Sequence, residues 1–170
     1  MSGVKEGGGA FGVIHPDAPP ELARFAFILG EWKIRTRGRW SDGPDFTSTG
    51  TWIGRYVLDG YAIADEARVF DADGRLIGMG VTYRSVRPTD GRWVMQWFSA
   101  LDSTWEELRT DDLPPVEFGD DFVRFRNHGF FPRITFEKIT DDAFRWVGET
   151  TEDDGRTWMP TLWIEATRIR

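Results

Sequence analysis

From residue 31 to the end, the chain alternates between apolar and polar positions. Between 31 and 40, Trp32, Ile34, Thr36, Gly38 and Trp40 interleave with Glu31, Lys33, Arg35, Arg37 and Arg39, the period of two expected of a strand with one buried and one wetted face. After an SDGPD turn, 46–58 repeats it, with Phe46, Trp52, Tyr56 and Leu58 set against Thr47, Thr49, Thr51 and Arg55. Asp59-Gly60 predicts a tight hairpin into 61–70, where Tyr61, Ile63, Asp65, Ala67 and Val69 share the inner parity and Glu66 and Arg68 the outer one. Further strands are predicted over 75–86, 92–100, 103–110, 116–119, 122–128, 133–139, 143–150 and 157–169, divided by turn sequences such as DADG, RPTDG, GFFP and EDDG. Parity stays open in 75–86 and 92–100, whose faces are both largely apolar or glycine-rich, and Gly78 and Gly80 mark a bend or a close approach there. Over the last three strands Phe136, Phe144, Trp146, Trp158, Leu162, Ile164 and Arg168 take one side.

Ahead of the strands the period differs. Leu22, Phe25, Phe27 and Leu29 fall near helical spacing between a Pro pair and Gly30, which predicts one short helix. About ten short strands joined by hairpin turns, with one short N-terminal helix, describe an all-β fold: a single up-and-down antiparallel barrel over 18–170. Closure would remove the edges such a meander exposes. A two-sheet sandwich needs long crossovers, and the turns here are short. Residues 1–17, with their Gly run and prolines, are expected to form a flexible lead-in.

Composition narrows the function classes. A chain of 170 residues suits one domain, and without cysteine it has no disulfide, thiolate site or cysteine nucleophile. A net charge of −7 argues against nucleic acid, whose phosphates need a basic face. Neither a secretory apolar core nor an 18-residue apolar run occurs, so a cytoplasmic location without a membrane span is expected. Nine Trp and thirteen Phe against three Tyr suit a heavy core or a pocket for apolar, ring-bearing ligands.

At Gly30-Glu31-Trp32, placed where the first strand follows the helix, the chain resembles the Gly-x-Trp signature of lipocalin-like (calycin) barrels. The resemblance implies that Trp32 plugs one end and that Arg168, from the last strand, lies across its ring, with Gly30 part of the same closure. The runs FAFILGEW, RYVLDGYAIADEARV and YRSVRPTDGRWVMQWFS resemble more closely a bacterial family of unknown function, DUF1579, from about residue 18 onward. Those motifs are structural, and fold does not fix function. A haem-binding relative of this fold, nitrobindin, carries further glycines after the Trp and a late proximal His; Lys33, Ile34 and Arg35 depart from that pattern, so no cofactor is expected.

Candidate chemistry is sparse. His15 and His128 cannot make a multi-His metal site, and the paired aspartates all fall at turns, where Asp caps backbone amides. No nucleophile elbow or phosphate loop is present. The stripe Lys33, Arg35, Arg37, Arg39 reads as a strand's outer face paired with acids on neighbouring strands, with an anion site as its alternative. Asp65 is the inward carboxylate: it is either held by an interior Arg or Tyr, or anchors a ligand or moves a proton. His128 would sit at the rim, where an imidazole titrates near neutral pH. Gln96, Glu106 and Tyr83 could orient a ligand, and Trp52, Tyr56, Trp97, Trp105, Trp146 and Trp158 could line its pocket. The favoured function is binding of a small, largely apolar, aromatic ligand. A cofactor-free isomerase, cyclase, hydratase or lyase using Asp65 or His128 is the second class. A filled barrel acting as an interaction module, with a homodimer as one partner arrangement, is the third.

Overall fold

A computed structural model describes residues 10–39, 43–110 and 112–169. Among these residues eleven antiparallel strands follow one another in a curled sheet: β1 Gly30–Gly38, β2 Phe46–Val57, β3 Ala62–Phe70, β4 Leu76–Val86, β5 Trp93–Ser99, β6 Thr104–Glu107, β7 Glu117–Phe118, β8 Val123–Arg126, β9 Arg133–Glu137, β10 Ala143–Thr150 and β11 Met159–Arg168. The order across the sheet is β6-β5-β4-β3-β2-β1-β11-β10-β9-β8-β7. Every neighbouring pair is a sequence neighbour except β1 with β11, so the meander curls until its first and last strands meet.

The ladder is not continuous around the ring. Among the described residues β6 and β7 are unpaired with each other, so the all-β meander is seen while the fully closed hydrogen-bonded circuit is not. On the β6 side Leu108 and Thr110 continue beside β5, through Leu108 N–H to the Met95 carbonyl and the Thr110 hydroxyl to the Trp93 carbonyl. Side-chain contacts bridge the seam itself. The Glu106 carboxylate accepts the Phe130 amide. The His128 Nε2 and Asp112 Oδ1 atoms lie 2.8 Å apart.

The predicted helix forms as a 3-10 helix, Pro20–Ile28, and buries Leu22, Phe25 and Ile28 across one end of the curl. Its tighter turn brings residues three apart onto one side, which is the spacing of Leu22, Phe25 and Ile28. Phe25 meets Trp93 edge-on at 4.7 Å and Phe136 at 5.9 Å, and Phe27 meets Phe136 at 5.3 Å. Such ring pairs add about 0.5–1.5 kcal/mol each beyond the area they bury. This end of the interior is therefore solid.

The expected flexible lead-in is corrected over its described part. The Tyr56 amide donates to the Phe11 carbonyl, the His15 amide to Gly60, and the His15 ring stacks on Tyr61 at 4.4 Å. Satisfied amides and a stacked ring tie residues 11–18 to the β2–β3 hairpin. The inward placement expected of Trp40 lies outside the described residues.

Both open parities are resolved. In β4 the even positions Gly80, Thr82, Arg84 and Val86 are buried while Tyr83 is exposed; in β5 Trp93 and Met95 are buried while Val94 and Gln96 are exposed. The β3–β4 and β4–β5 registers place Asp65 opposite Thr82 and Thr82 opposite Trp97, so one face carries all three.

Candidate functional site

At the helix end, the β1–β11 junction forms around Trp32. Its indole N–H donates to the Ile28 carbonyl at 2.9 Å, and the Arg168 guanidinium carbon lies 4.0 Å above its ring. Arg168 also donates to the Leu29 carbonyl at 2.8 Å and the Asp141 carbonyl at 2.6 Å. Gly30, at φ +120°, is required beneath that guanidinium, because a Cβ would collide with Arg168 Nη1. Gly30, Trp32 and Arg168 thus make a packed, hydrogen-bonded corner, a closure and not a pocket.

Beside it lies the main polar feature of the interior. Asp65 (1 % exposed) and Arg84 (3 % exposed) form an ion pair through Asp65 Oδ2 and Arg84 Nη1. The guanidinium carbon stands 5.2 Å over Phe25 and 5.7 Å over Phe136, so the cation is held between a carboxylate and two ring faces. Burial pushes the Arg84 guanidinium down to about 9, which still leaves it charged at neutral pH. Arg84 was not a candidate from the sequence because β4 parity was open. The signal was Asp65 itself, since an inward carboxylate needs an interior cation.

Moving from this pair toward the far end, the inner faces of β2 to β5 become small: Gly50, Ala67, Gly78, Gly80, Thr82 and Ser99 share that face by register. Ala67, Val69, Gly78, Trp97 and Ser99 are only half-buried although they point inward. Opposite them β10 and β11 present Trp146, Gly148, Leu162 and Ile164. Gly80 is a seat for the Trp97 ring and Gly148 for the rings of Phe131 and Trp146, since a side chain at either would overlap them. Along this lobe Trp52 Nε1, Thr36 Oγ1 and Ser48 Oγ are buried without a hydrogen-bond partner, as is Arg84 Nε at the packed helix end. Thr36 and Ser48 are direct cross-strand partners, four residues from Trp52 along β2, a separation of roughly 13 Å at strand rise.

Of the proposed site residues, Trp52, Asp65, Trp97 and Trp146 share this interior. Tyr56 is half-buried on the same face nearer the helix, where burial raises its phenol above the ordinary tyrosine value. Glu106 also faces inward, opposite Trp97, with its carboxylate engaged by the Phe130 amide. The remaining placements are corrected. Tyr83 and Gln96 are on the outer parity of β4 and β5, and Trp105 is 60 % exposed, packed on Phe98 at 4.7 Å outside the curl.

His128 is exposed beside Asp112, whose carboxyl it holds below the usual range by hydrogen bonding. Trp158 precedes β11, because a register shift at Gly148/Glu149 ends the ladder at Met159. Its ring caps Arg133 at 4.4 Å, and that arginine grips Glu149 through two bonds of 2.7 and 2.6 Å on the outer face.

The loop carrying Trp158 is clamped by Asp153, which accepts the Thr157 amide at 2.8 Å and its hydroxyl at 2.7 Å. The Thr157 amide, more than the hydroxyl, lowers the Asp153 carboxyl below its ordinary value. A depressed folded value means that the clamp's stabilisation is present above the unfolded value near 3.9 and is lost as pH falls through the folded one. The melting temperature is expected to drop on acidification from about pH 5 to about pH 3, and more shallowly in Asp153→Asn. Identical slopes in the two proteins would show that this carboxylate carries none of the acid sensitivity.

Strand order and curl define an all-β protein of the up-and-down, barrel-like class. No protein-family model matches the chain, and no curated protein does. Among solved structures it is similar to the crystal structure of Rv2717c from M. tuberculosis, at 14% identity over 91% of this chain and 100% of that one, with a TM-score of 0.63. At that identity the likeness is one of fold. Among the described residues no helix is long and apolar enough to cross a membrane.

Proposed function

We propose that the chain binds a small, ring-bearing, largely apolar molecule in the half of the interior away from the 3-10 helix. The observation that carries this reading is the set of buried polar groups without a protein partner, Trp52 Nε1, Thr36 Oγ1 and Ser48 Oγ, along a face otherwise made of rings and small residues. Each unsatisfied buried donor costs about 1–3 kcal/mol. A ligand with an oxygen acceptor would recover that cost at the group it meets while its rings stack against Trp97 and Trp146 over the small inner face of β3 and β4.

Binding is favoured over proton transfer because the inward carboxylate already has a counter-ion. Asp65 is neutralised by Arg84, and His128 lies at the exposed seam. 2-Naphthol, two fused rings with one hydroxyl, is a suitable probe. It is expected to quench tryptophan emission saturably at one equivalent, and Trp52→Phe is expected to weaken it by about tenfold, the value of one buried hydrogen bond. A linear, unsaturable response in the native protein would remove this reading.

A further inference from the structure

The outer face carries a groove of about 750 Å³ whose walls include Arg35, Arg37, Thr47, Thr49, Arg145 and Trp163, with Thr36 and Ser48, whose hydroxyls the interior reading uses, also bordering it. Two carboxylates also border it, and both are committed. Asp71 accepts the amides of Asp73 and Arg75 and lies 3.4 Å from the Arg75 side chain. Glu165 lies 3.6 Å from Arg145, which also donates to Glu137 at 3.2 Å.

Arg35 and Arg37 stand differently: neither forms an ion pair with a carboxylate of the described residues. Arg39, next on the same stripe, takes Asp45 in two hydrogen bonds, and Arg37 acts on Asp45 only as a more distant charge. The Arg37 guanidinium carbon sits 4.5 Å over the Trp163 ring, which fixes the plane of its fork. The β1–β2 register sets Arg35 opposite Thr49 and Arg37 opposite Thr47, with both threonines exposed. Two guanidinium groups and two hydroxyls therefore line one groove of a chain whose net charge is −7. A local cationic site on an acidic protein selects anions by position, because the overall field repels them.

We propose that this groove binds the phosphate of a small organic phosphate monoester, with Arg35 and Arg37 as charged donors and Thr47 and Thr49 as neutral ones. A phosphate fits better than a carboxylate: it brings close to two negative charges and three terminal oxygens, matching two guanidinium groups and a further pair of donors. The groove's remaining volume, beside Ala72 and Trp163, receives the organic part. Thr36 and Ser48 border both the groove and the interior lobe, but the phosphate is held by Arg35 and Arg37 on the outer parity of β1, so its test does not depend on the interior reading.

The test is an amide NMR titration at fixed ionic strength, with phenyl phosphate and benzoate as probes. Phenyl phosphate is expected to shift the amides of 35–37 and 47–49 saturably and to bind more tightly than benzoate. R35A/R37A is expected to weaken it by roughly tenfold or more. K33Q/K138Q, which removes two positive charges outside the groove, is expected to stay within about twofold. Spectra of the free variants report that each is folded. No saturable shift, equal losses in the two double variants, or benzoate binding as tightly as phenyl phosphate would each overturn the proposal.

Discussion

Asp65→Ala is expected to destabilise the protein by about 3–5 kcal/mol, the cost of leaving a buried charge without its partner. Arg84 is almost wholly enclosed between Asp65, Phe25 and Phe136, so no rotation of its side chain returns the guanidinium to water without breaking the ring cluster at the helix end. For a chain of this length, about 1 kcal/mol moves the melting temperature by about 2–4 °C, so a loss of roughly 10 °C is expected. The reciprocal change is informative. In Asp65→Leu/Arg84→Met both charges go and the volume is kept, so most of the loss should return, because a buried pair is worth little against apolar replacements of its own size. A urea midpoint for Asp65→Ala close to that of the native protein would show that Arg84 is not locked in the interior.

Trp32→Ala is expected to cost a similar amount, about 3–5 kcal/mol, by a different route. The ring is fully buried, meets Phe144 edge-on at 4.8 Å, supports Arg168 and donates to the Ile28 carbonyl. Removing it leaves a cavity at the junction of the first and last strands and an unpaired carbonyl at the end of the 3-10 helix. Arg168→Ala should cost clearly less, since Arg168 is only half-buried and its carbonyl partners lie near solvent. Urea unfolding of the two variants measures the difference, and a Trp32→Ala loss under about 1 kcal/mol would mean that the ring is not a structural plug.

The all-β meander and the Trp32–Arg168 corner were legible because they rest on period and parity, which a single chain carries locally. β1 alternates without exception, and its even positions are the buried ones. Parity could not be read where both faces are apolar or glycine-rich, as in β4 and β5, and that is why Tyr83 and Gln96 were expected inside and Arg84 was not. Trp158 was misplaced because parity was carried past the shift at Gly148/Glu149, and a one-residue slip exchanges the two faces. The 3-10 winding of the N-terminal helix was marked by the spacing of three between Leu22, Phe25 and Ile28, which the choice of Phe27 and Leu29 obscured, whereas the β6–β7 seam depends on tertiary packing, which no local pattern encodes. Gly78 and Gly80 were read as a bend or a close approach; that Gly80 seats the Trp97 ring, and that Gly148 seats Phe131 and Trp146, required knowing what crosses the interior.

An amide and indole NMR titration with 2-naphthol tests the interior placement of the ligand. Saturable shifts are expected for the indoles of Trp52 and Trp97 and for the amides of Gly50, Ala67, Gly78 and Gly80, with Leu22, Phe25 and Ile28 at the packed end unmoved. Shifts confined to exposed outer residues such as Trp105 and Phe130, or no saturable shift at all, would contradict that placement.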